Sequence, residues 1–73
     1  MEWSDCPLVE QISGKAAGQP VVKGTRILAD VIVEEFESGS PIEEILENYP
    51  KLSEDTIRQL ISFAHSHKAQ PHL

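Results

Sequence analysis

Gly39, Pro41 and Pro50 divide the second half of this chain into short segments. Glycine commonly ends a helix, and proline disfavours helical geometry at the residue before it, so one helix cannot run through positions 39 to 41 or through Tyr49. Between these breaks, apolar residues recur at three- and four-residue spacing, which is typical of helices with one buried face. We therefore expect a mainly α fold with three separate helices between residues 28 and 67.

The first predicted helix covers about residues 29 to 38, and the second covers residues 41 to 48. Ser40 is expected to cap the second helix, with Pro41 at its first helical position and Glu43 completing a capping box. The apolar faces of these two helices are predicted to contain Leu28, Val31, Ile32, Phe36, Ile42, Ile45 and Leu46.

The third predicted helix starts at Ser53 and runs to about His67. Glu54 and Asp55 lie in its first turn, where the helix dipole favours carboxylates. Leu52, in the connection "YPKL", is expected to enter the core. The buried stripe of this helix is predicted to consist of Ile57, Leu60, Ile61 and Ala64.

Residues 8–26 are predicted to form a β-arm. The segments "LVEQIS" and "PVVKGT" are rich in residues that favour strands, and "GKAAGQ" supplies a flexible connection between them. Gly24 is expected to adopt a backbone conformation that side chains penalise. Because an isolated two-stranded hairpin is marginally stable, the arm should pack on a helix or on a second copy of the chain.

The 73 residues contain one cysteine, Cys6, so no disulfide can form within the chain. A domain of this size buries only a modest core, which favours additional stability from a homodimer or a partner protein. We expect a single domain over residues 1–73, with an irregular segment at 1–7 and a tail at 68–73. The apolar runs are too short to cross a membrane, and we expect a cytoplasmic protein.

Positive and negative charges are separated along the sequence. Residues 11 to 29 carry three basic side chains and no acid, whereas residues 30 to 55 carry nine acids and one lysine, a net charge of −8 in a chain whose total is −6. Nucleic-acid affinity comes largely from Lys and Arg, so the basic segment leaves DNA binding open to an otherwise acidic protein. The alternative is that the acidic helix faces are simply solvated.

The predicted elements follow the order of a helix-turn-helix domain: two helices, a tight connection and a longer third helix. Many three-helix bundles without any DNA role share this order, so the pattern leaves both possibilities open. The sequence "GQPVVKGTRI" followed by "SPIEEILENYPKLSEDTI" adds a more specific indication, because it resembles the DUF433 family over roughly residues 12 to 64. Leu28 replaces a proline that is common in that family, which predicts a looser or shifted start of the first helix.

The resemblance implies a homeodomain-like helix-turn-helix core with an N-terminal β-arm. It also implies an antitoxin of a toxin-antitoxin module, which neutralises a PIN-like nuclease toxin and binds its own operator DNA as a second role. The alternative is a protein-interaction or adaptor module that does not bind DNA. In both cases we expect no catalysis and no cofactor.

Six polar residues are the candidates for DNA contact. Basic side chains in the arm would bind phosphates, and polar side chains near the start of the third helix would contact bases. Glu54 and Asp55 would repel DNA at that helix start. A structural alternative for Arg26 is a salt bridge with Asp30 or with an acid of the second helix. The candidates are Lys15, Lys23, Arg26, Thr56, Arg58 and Gln59.

The acidic side chains of the first two helices are candidates for binding a basic nuclease surface, since complementary charge speeds association. The alternative is that these positions serve solubility. The candidates for partner binding are Glu34, Glu35, Glu43, Glu44 and Glu47.

The sequence offers little support for an active site. His65 and His67 are two residues apart, so they point in different directions on a helix and cannot chelate one metal ion together. Cys6 has no histidine near it in sequence, and "GKAAGQ" lacks the Gly-Lys-Ser/Thr ending of a phosphate-binding P-loop.

Overall fold

A two-stranded antiparallel hairpin and three helices make up the protein. The structure, a computed structural model, describes residues 3–68 and the side chains of residues 3–66. The predicted tail therefore lies almost entirely outside the described residues. In chain order the elements are β1 (Val9–Glu10), a 3₁₀ turn (Ala16–Gly18), β2 (Val21–Val22), α1 (Ala29–Glu37), α2 (Ile42–Asn48) and α3 (Glu54–Lys68).

The three helices form the core in helix-turn-helix order, as the sequence predicted. α3 packs against both α1 and α2, and α1 also contacts α2. The predicted stripe of α3 is buried throughout, and Leu52 enters the core from the connection before it. The side chains at the centre, which are fully buried, are Ile32, Ile45, Ile57 and Leu60.

The predicted capping box at the start of α2 is wrong. Pro41 is the capping residue, in an extended conformation, and its carbonyl accepts the amides of Glu44 and Ile45 at 3.0 and 3.1 Å. Ser40 makes no capping bond, because its own amide donates to the carbonyl of Glu35 and so belongs to the end of α1. Gly39, with φ +110°, allows the chain to reverse there, and α2 begins one residue later than predicted.

The start of α1 is held by the hairpin. β1 and β2 pair with Val9 opposite Val22 and Glu10 opposite Val21, and Val21 also forms a bridge with Leu28. The amide of Ala29, the first residue of α1, donates to the carbonyl of Pro20 at 3.1 Å. The looser or shifted start expected from Leu28 is therefore not found, since this residue joins the edge of β2 instead.

The strands of the arm are shorter than the sequence suggested. Each strand has two residues, and Ala16 and Ala17 in the connection adopt positive φ angles of 52° and 56°. Gly24 has φ +77°, as expected for a residue that tolerates the left-handed region. Both β2 side chains, Val21 and Val22, are buried, and Val22 belongs to the core cluster of the helices, which fixes the arm onto them.

The N-terminal segment belongs to the core, although its sequence shows no periodicity. Trp3 is 2% exposed and its ring stacks on that of Phe63 in α3, with centroids 5.4 Å apart. Its indole N–H donates to Asp30 Oδ1 in α1 at 2.7 Å. Cys6 is also buried, behind a turn in which its amide donates to the Trp3 carbonyl. Trp3 thus joins the beginning of the chain to two helices.

Truncation of Trp3 tests this role. We expect Trp3→Ala to lower the free energy of unfolding by about 3 kcal/mol, because a large buried ring is replaced by a cavity. Trp3→Phe retains a ring but removes the bond to Asp30, and should cost about 1 kcal/mol. Urea unfolding followed by far-UV circular dichroism measures both effects.

A matched control is Ile12→Ala, which truncates the exposed Ile12 side chain. This change should alter stability by less than about 0.5 kcal/mol. Equal effects of Trp3→Ala and Ile12→Ala would show that the N-terminal segment does not contribute to the core.

Candidate functional site

The most distinctive surface feature is an open pocket of about 530 Å³ that collects positive charge, here called the basic pocket. Its basic side chains come from three separate parts of the chain: Lys15 before the 3₁₀ turn, Arg26 after β2, and Lys51 in the connection between α2 and α3. Gly24, Thr25 and Ile27 complete the lining. Half of the six Lys and Arg residues of the chain therefore line one pocket.

A tight turn presents Arg26 to the basic pocket. Thr25 donates its backbone amide to the Val22 carbonyl at 3.0 Å and its hydroxyl to the same oxygen at 2.8 Å. The Thr25 hydroxyl oxygen also accepts a hydrogen bond from the Ile27 amide at 3.0 Å. The Ile27 carbonyl in turn accepts a hydrogen bond from the Val22 amide. Backbone groups on both sides of Arg26 are thus bonded, which fixes the position from which its side chain extends.

Lys15 is already engaged in the structure. Its ammonium contacts Glu10 Oε2 at 2.9 Å, and the same oxygen accepts the Gly24 amide at 3.1 Å. These two contacts, aided by the charge of Lys23, hold the pKa of Glu10 below its ordinary value. Glu10 is therefore the counter-charge at one side of the basic pocket.

The salt bridge suggested for Arg26 does not form. Asp30 accepts a hydrogen bond from the Trp3 indole instead, and Arg26 has no ion-pair partner among the described residues. Lys51 likewise has none within that part of the chain. Lys51 was not among the residues predicted for this site, because it is far from the arm in sequence, although it is the one basic residue in the acidic stretch from position 30 to 55.

The start of α3 holds the predicted base-contacting residues, and each of them has a partner inside the protein. Ser53 caps the helix by accepting the Thr56 amide at 3.1 Å and bonds the Thr56 hydroxyl. Arg58 pairs with Glu54, with Nη2 and Oε2 2.6 Å apart. Gln59 donates to Asp55. These contacts at the surface are individually weak. They direct the polar ends of the Arg58 and Gln59 side chains along α3 toward its acidic first turn.

The acidic candidates divide into two groups. Glu35 accepts a hydrogen bond from the Tyr49 hydroxyl at 2.7 Å, which ties α1 to the end of α2. This carboxylate raises the pKa of Tyr49 above its ordinary value of 10.0, because ionisation would break the bond and set two negative charges together. The remaining four carboxylates are exposed and form no ion pair with any described residue; they are Glu34, Glu43, Glu44 and Glu47.

A second, smaller pocket of about 380 Å³ lies between the helices and contains the rings of Phe36 and His65. Across residues 3–68, no group of His, Cys, Asp and Glu residues is arranged to hold a metal ion. No helix in that range is long and apolar enough to cross a membrane.

Comparison with known proteins identifies related sequences. A sequence profile of the family described as "Protein of unknown function (DUF433)" matches residues 9–64. The crystal structure of a DUF433 member protein from Anabaena variabilis is 24% identical in sequence and superposes with a TM-score of 0.71, covering 84% of this chain. The present chain spans 60% of the length of that protein's chain. No protein of curated function matches this sequence.

The bond between Tyr49 and Glu35 can be tested by titration. Tyr49 is the sole tyrosine of the chain, so ultraviolet absorbance reports a single phenol. We expect the titration of the Tyr49 phenol to have its midpoint above pH 10.0 in the wild-type protein. In Glu35→Gln the midpoint should move back toward 10.0, because the neutral amide adds no negative charge. Because the pKa of Tyr49 is higher in the folded than in the unfolded chain, its bond to Glu35 stabilises the fold below pH 10. This contribution to the free energy of unfolding is lost as the pH rises through the pKa of the folded state. Identical midpoints in the two proteins would contradict the contact.

Proposed function

Since the chain belongs to the DUF433 family, whose function is unknown, we propose its function from the resemblance described above and from its own surface. The protein is an antitoxin of a toxin-antitoxin module. It binds a PIN-like nuclease toxin and blocks it without catalysis, as a cytoplasmic homodimer. Binding of its own operator DNA is a second role.

The observation that carries this proposal is the set of exposed glutamates on α2. Glu43, Glu44 and Glu47 have no ion-pair partner among the described residues, and α2 contains no basic residue. Glu43 and Glu47 are four residues apart, a spacing at which like charges destabilise a helix by about 0.2–0.5 kcal/mol. This unfavourable arrangement becomes favourable against a basic surface, where each carboxylate gains an opposite charge.

The proposed mechanism is occlusion of the nuclease. A nuclease that binds a nucleic-acid backbone presents basic side chains to its phosphates, and in metal-dependent nucleases the metal ions lie in the active site. Carboxylates of α2, together with Glu34 of α1, would occupy the positions that substrate phosphates take. No bond is formed or broken, so inhibition ends when the antitoxin dissociates or is degraded.

A paired charge reversal tests this mechanism. The double variant Glu43→Lys/Glu47→Lys is expected to lose co-purification with the nuclease that the wild-type protein retains from its native extract. A single Glu47→Lys should weaken retention, yet it should stabilise α2 by a few tenths of a kcal/mol, since it replaces a repulsive pair by an attractive one. Loss of binding together with raised stability separates a contact role from unfolding.

The matched control for the single variant is Asp5→Lys, which makes the same change from an acid to a lysine at an exposed position outside α1 and α2. This variant should keep the nuclease. Recovery of the wild-type protein alone at every salt concentration, or equal retention by the α2 variant, would refute the neutralising role.

The operator-binding role competes with the adaptor alternative. Arg26, Lys23 and Lys51 supply positive charge without ion pairs among the described residues, which supports phosphate contact. Arg58 and Gln59 are bound to acids of their own helix, which favours an adaptor that does not use DNA. Any base contact would require these internal bonds to break, so binding should be weak for a single subunit and stronger for a dimer.

Operator binding should fall steeply with salt, by a slope that reports the number of phosphates contacted. We expect Lys23→Ala/Arg26→Ala to abolish it in a mobility-shift assay with DNA from upstream of the gene. Glu54→Gln should strengthen it, because a carboxylate that repels DNA is removed. Absence of binding at any salt would leave the adaptor alternative.

A further inference from the structure

We propose that the basic pocket is a binding site for a phosphate group, with Arg26 and Lys51 as its main contacts. The site is distinct from the acidic surface of α1 and α2. Only its use on DNA rests on the proposed operator role, whereas its affinity for a phosphate does not depend on any nuclease.

The positive charge of Arg26 and Lys51 is not compensated within the described residues. The chain has twice as many acidic as basic residues, so cations placed at random would readily find a carboxylate. Arg26 and Lys51 nevertheless line one pocket with no ion pair among the described residues. Neighbouring like charges repel each other, and an anion that binds between them removes this repulsion. A phosphate carries up to two negative charges and therefore suits a pocket with more than one cation.

The hydrogen-bond donors of Arg26 and Lys51 are of the types that suit a phosphate. The planar guanidinium of Arg26 can give two parallel N–H bonds to phosphate oxygens, and the ammonium of Lys51 gives a compact point charge beside it. The turn from Val22 to Ile27 is fixed by backbone and Thr25 hydroxyl bonds, so the base of the Arg26 side chain is positioned before a ligand arrives. Less ordering is then required on binding.

Glu10 acts as an internal anion beside the pocket. Its carboxylate already takes a bond from Lys15 and from the Gly24 amide, so an internal anion uses the donors at one side of the pocket. This leaves Arg26 and Lys51 for an external anion and makes Glu10 an electrostatic competitor. Removing the Glu10 charge should therefore tighten anion binding, the opposite of removing either cation.

The pocket is open, with room for more than a phosphate group alone. The rest of the ligand would extend into solvent or along Ile27. The same chemistry is offered by a phosphodiester of nucleic acid and by a phosphomonoester of a small molecule, so the experiment must distinguish these two sources.

The test is an NMR titration of the ¹⁵N-labelled full chain with inorganic phosphate, with adenosine monophosphate and with a short DNA duplex, at constant ionic strength. Shifts should concentrate at residues 24–27 and at Lys51. We expect Arg26→Ala and Lys51→Ala each to weaken the binding of the two small anions about tenfold, as for loss of a charge-assisted bond. Glu10→Gln should strengthen it.

Lys23→Ala is the matched control for the small anions. Lys23 is exposed and adjacent in sequence but does not line the pocket, so the same change in net charge should have less than about a twofold effect. Circular dichroism of each variant verifies the fold. Pocket variants should still retain the nuclease in the co-purification assay, so failure of this proposal is separable from failure of the neutralising role.

Both sources of phosphate have a defined result. Competition between the duplex and adenosine monophosphate for the same residues assigns the pocket to a nucleic-acid backbone. Binding of the small anions without such competition assigns it to a phosphorylated small molecule. The proposal is overturned if none of the three probes shifts residues 24–27 and Lys51, or if Arg26→Ala and Lys51→Ala behave as Lys23→Ala does.

Discussion

The attachment of β2 to both of its neighbours is the constraint on which the rest of this structure depends. Val21 and Val22 are buried, and their strand pairs with β1 on one edge and with the segment leading into α1 on the other. Hydrophobic burial fixes the strand onto the helices, while backbone bonds fix its direction. The start of α1 and the position of the turn that carries Arg26 both follow from this single strand.

Positive and negative charges lie on different segments of the folded chain. The basic pocket combines the arm with the connection between α2 and α3, and the exposed glutamates lie on the outer sides of α1 and α2. Under the proposed function, the two regions would bind partners of opposite charge. Electrostatic steering would orient each encounter before contact is made.

The sequence predicted the helices well because their buried faces follow helical periodicity, as in Ile57, Leu60, Ile61 and Ala64. The prediction failed at Ser40. The capping rules assign this residue to the start of α2, but its amide donates to a carbonyl at the end of α1. The place of Lys51 in the basic pocket and the contact that Trp3 makes in the core were not predicted, for another reason. Phe63 is distant from Trp3 in sequence, as Arg26 is from Lys51, and only the fold brings each pair to one place. Local patterns carry no information about such contacts.

The stacking of Trp3 on Phe63 has a consequence for synthesis of the chain. A ribosome produces Trp3 before α1 and α2, and Phe63 after them, so the indole lacks the ring that covers it while these two helices are being made. The core of the folded protein can therefore be completed only after α3 has been synthesised, and until then the indole lacks its stacking partner.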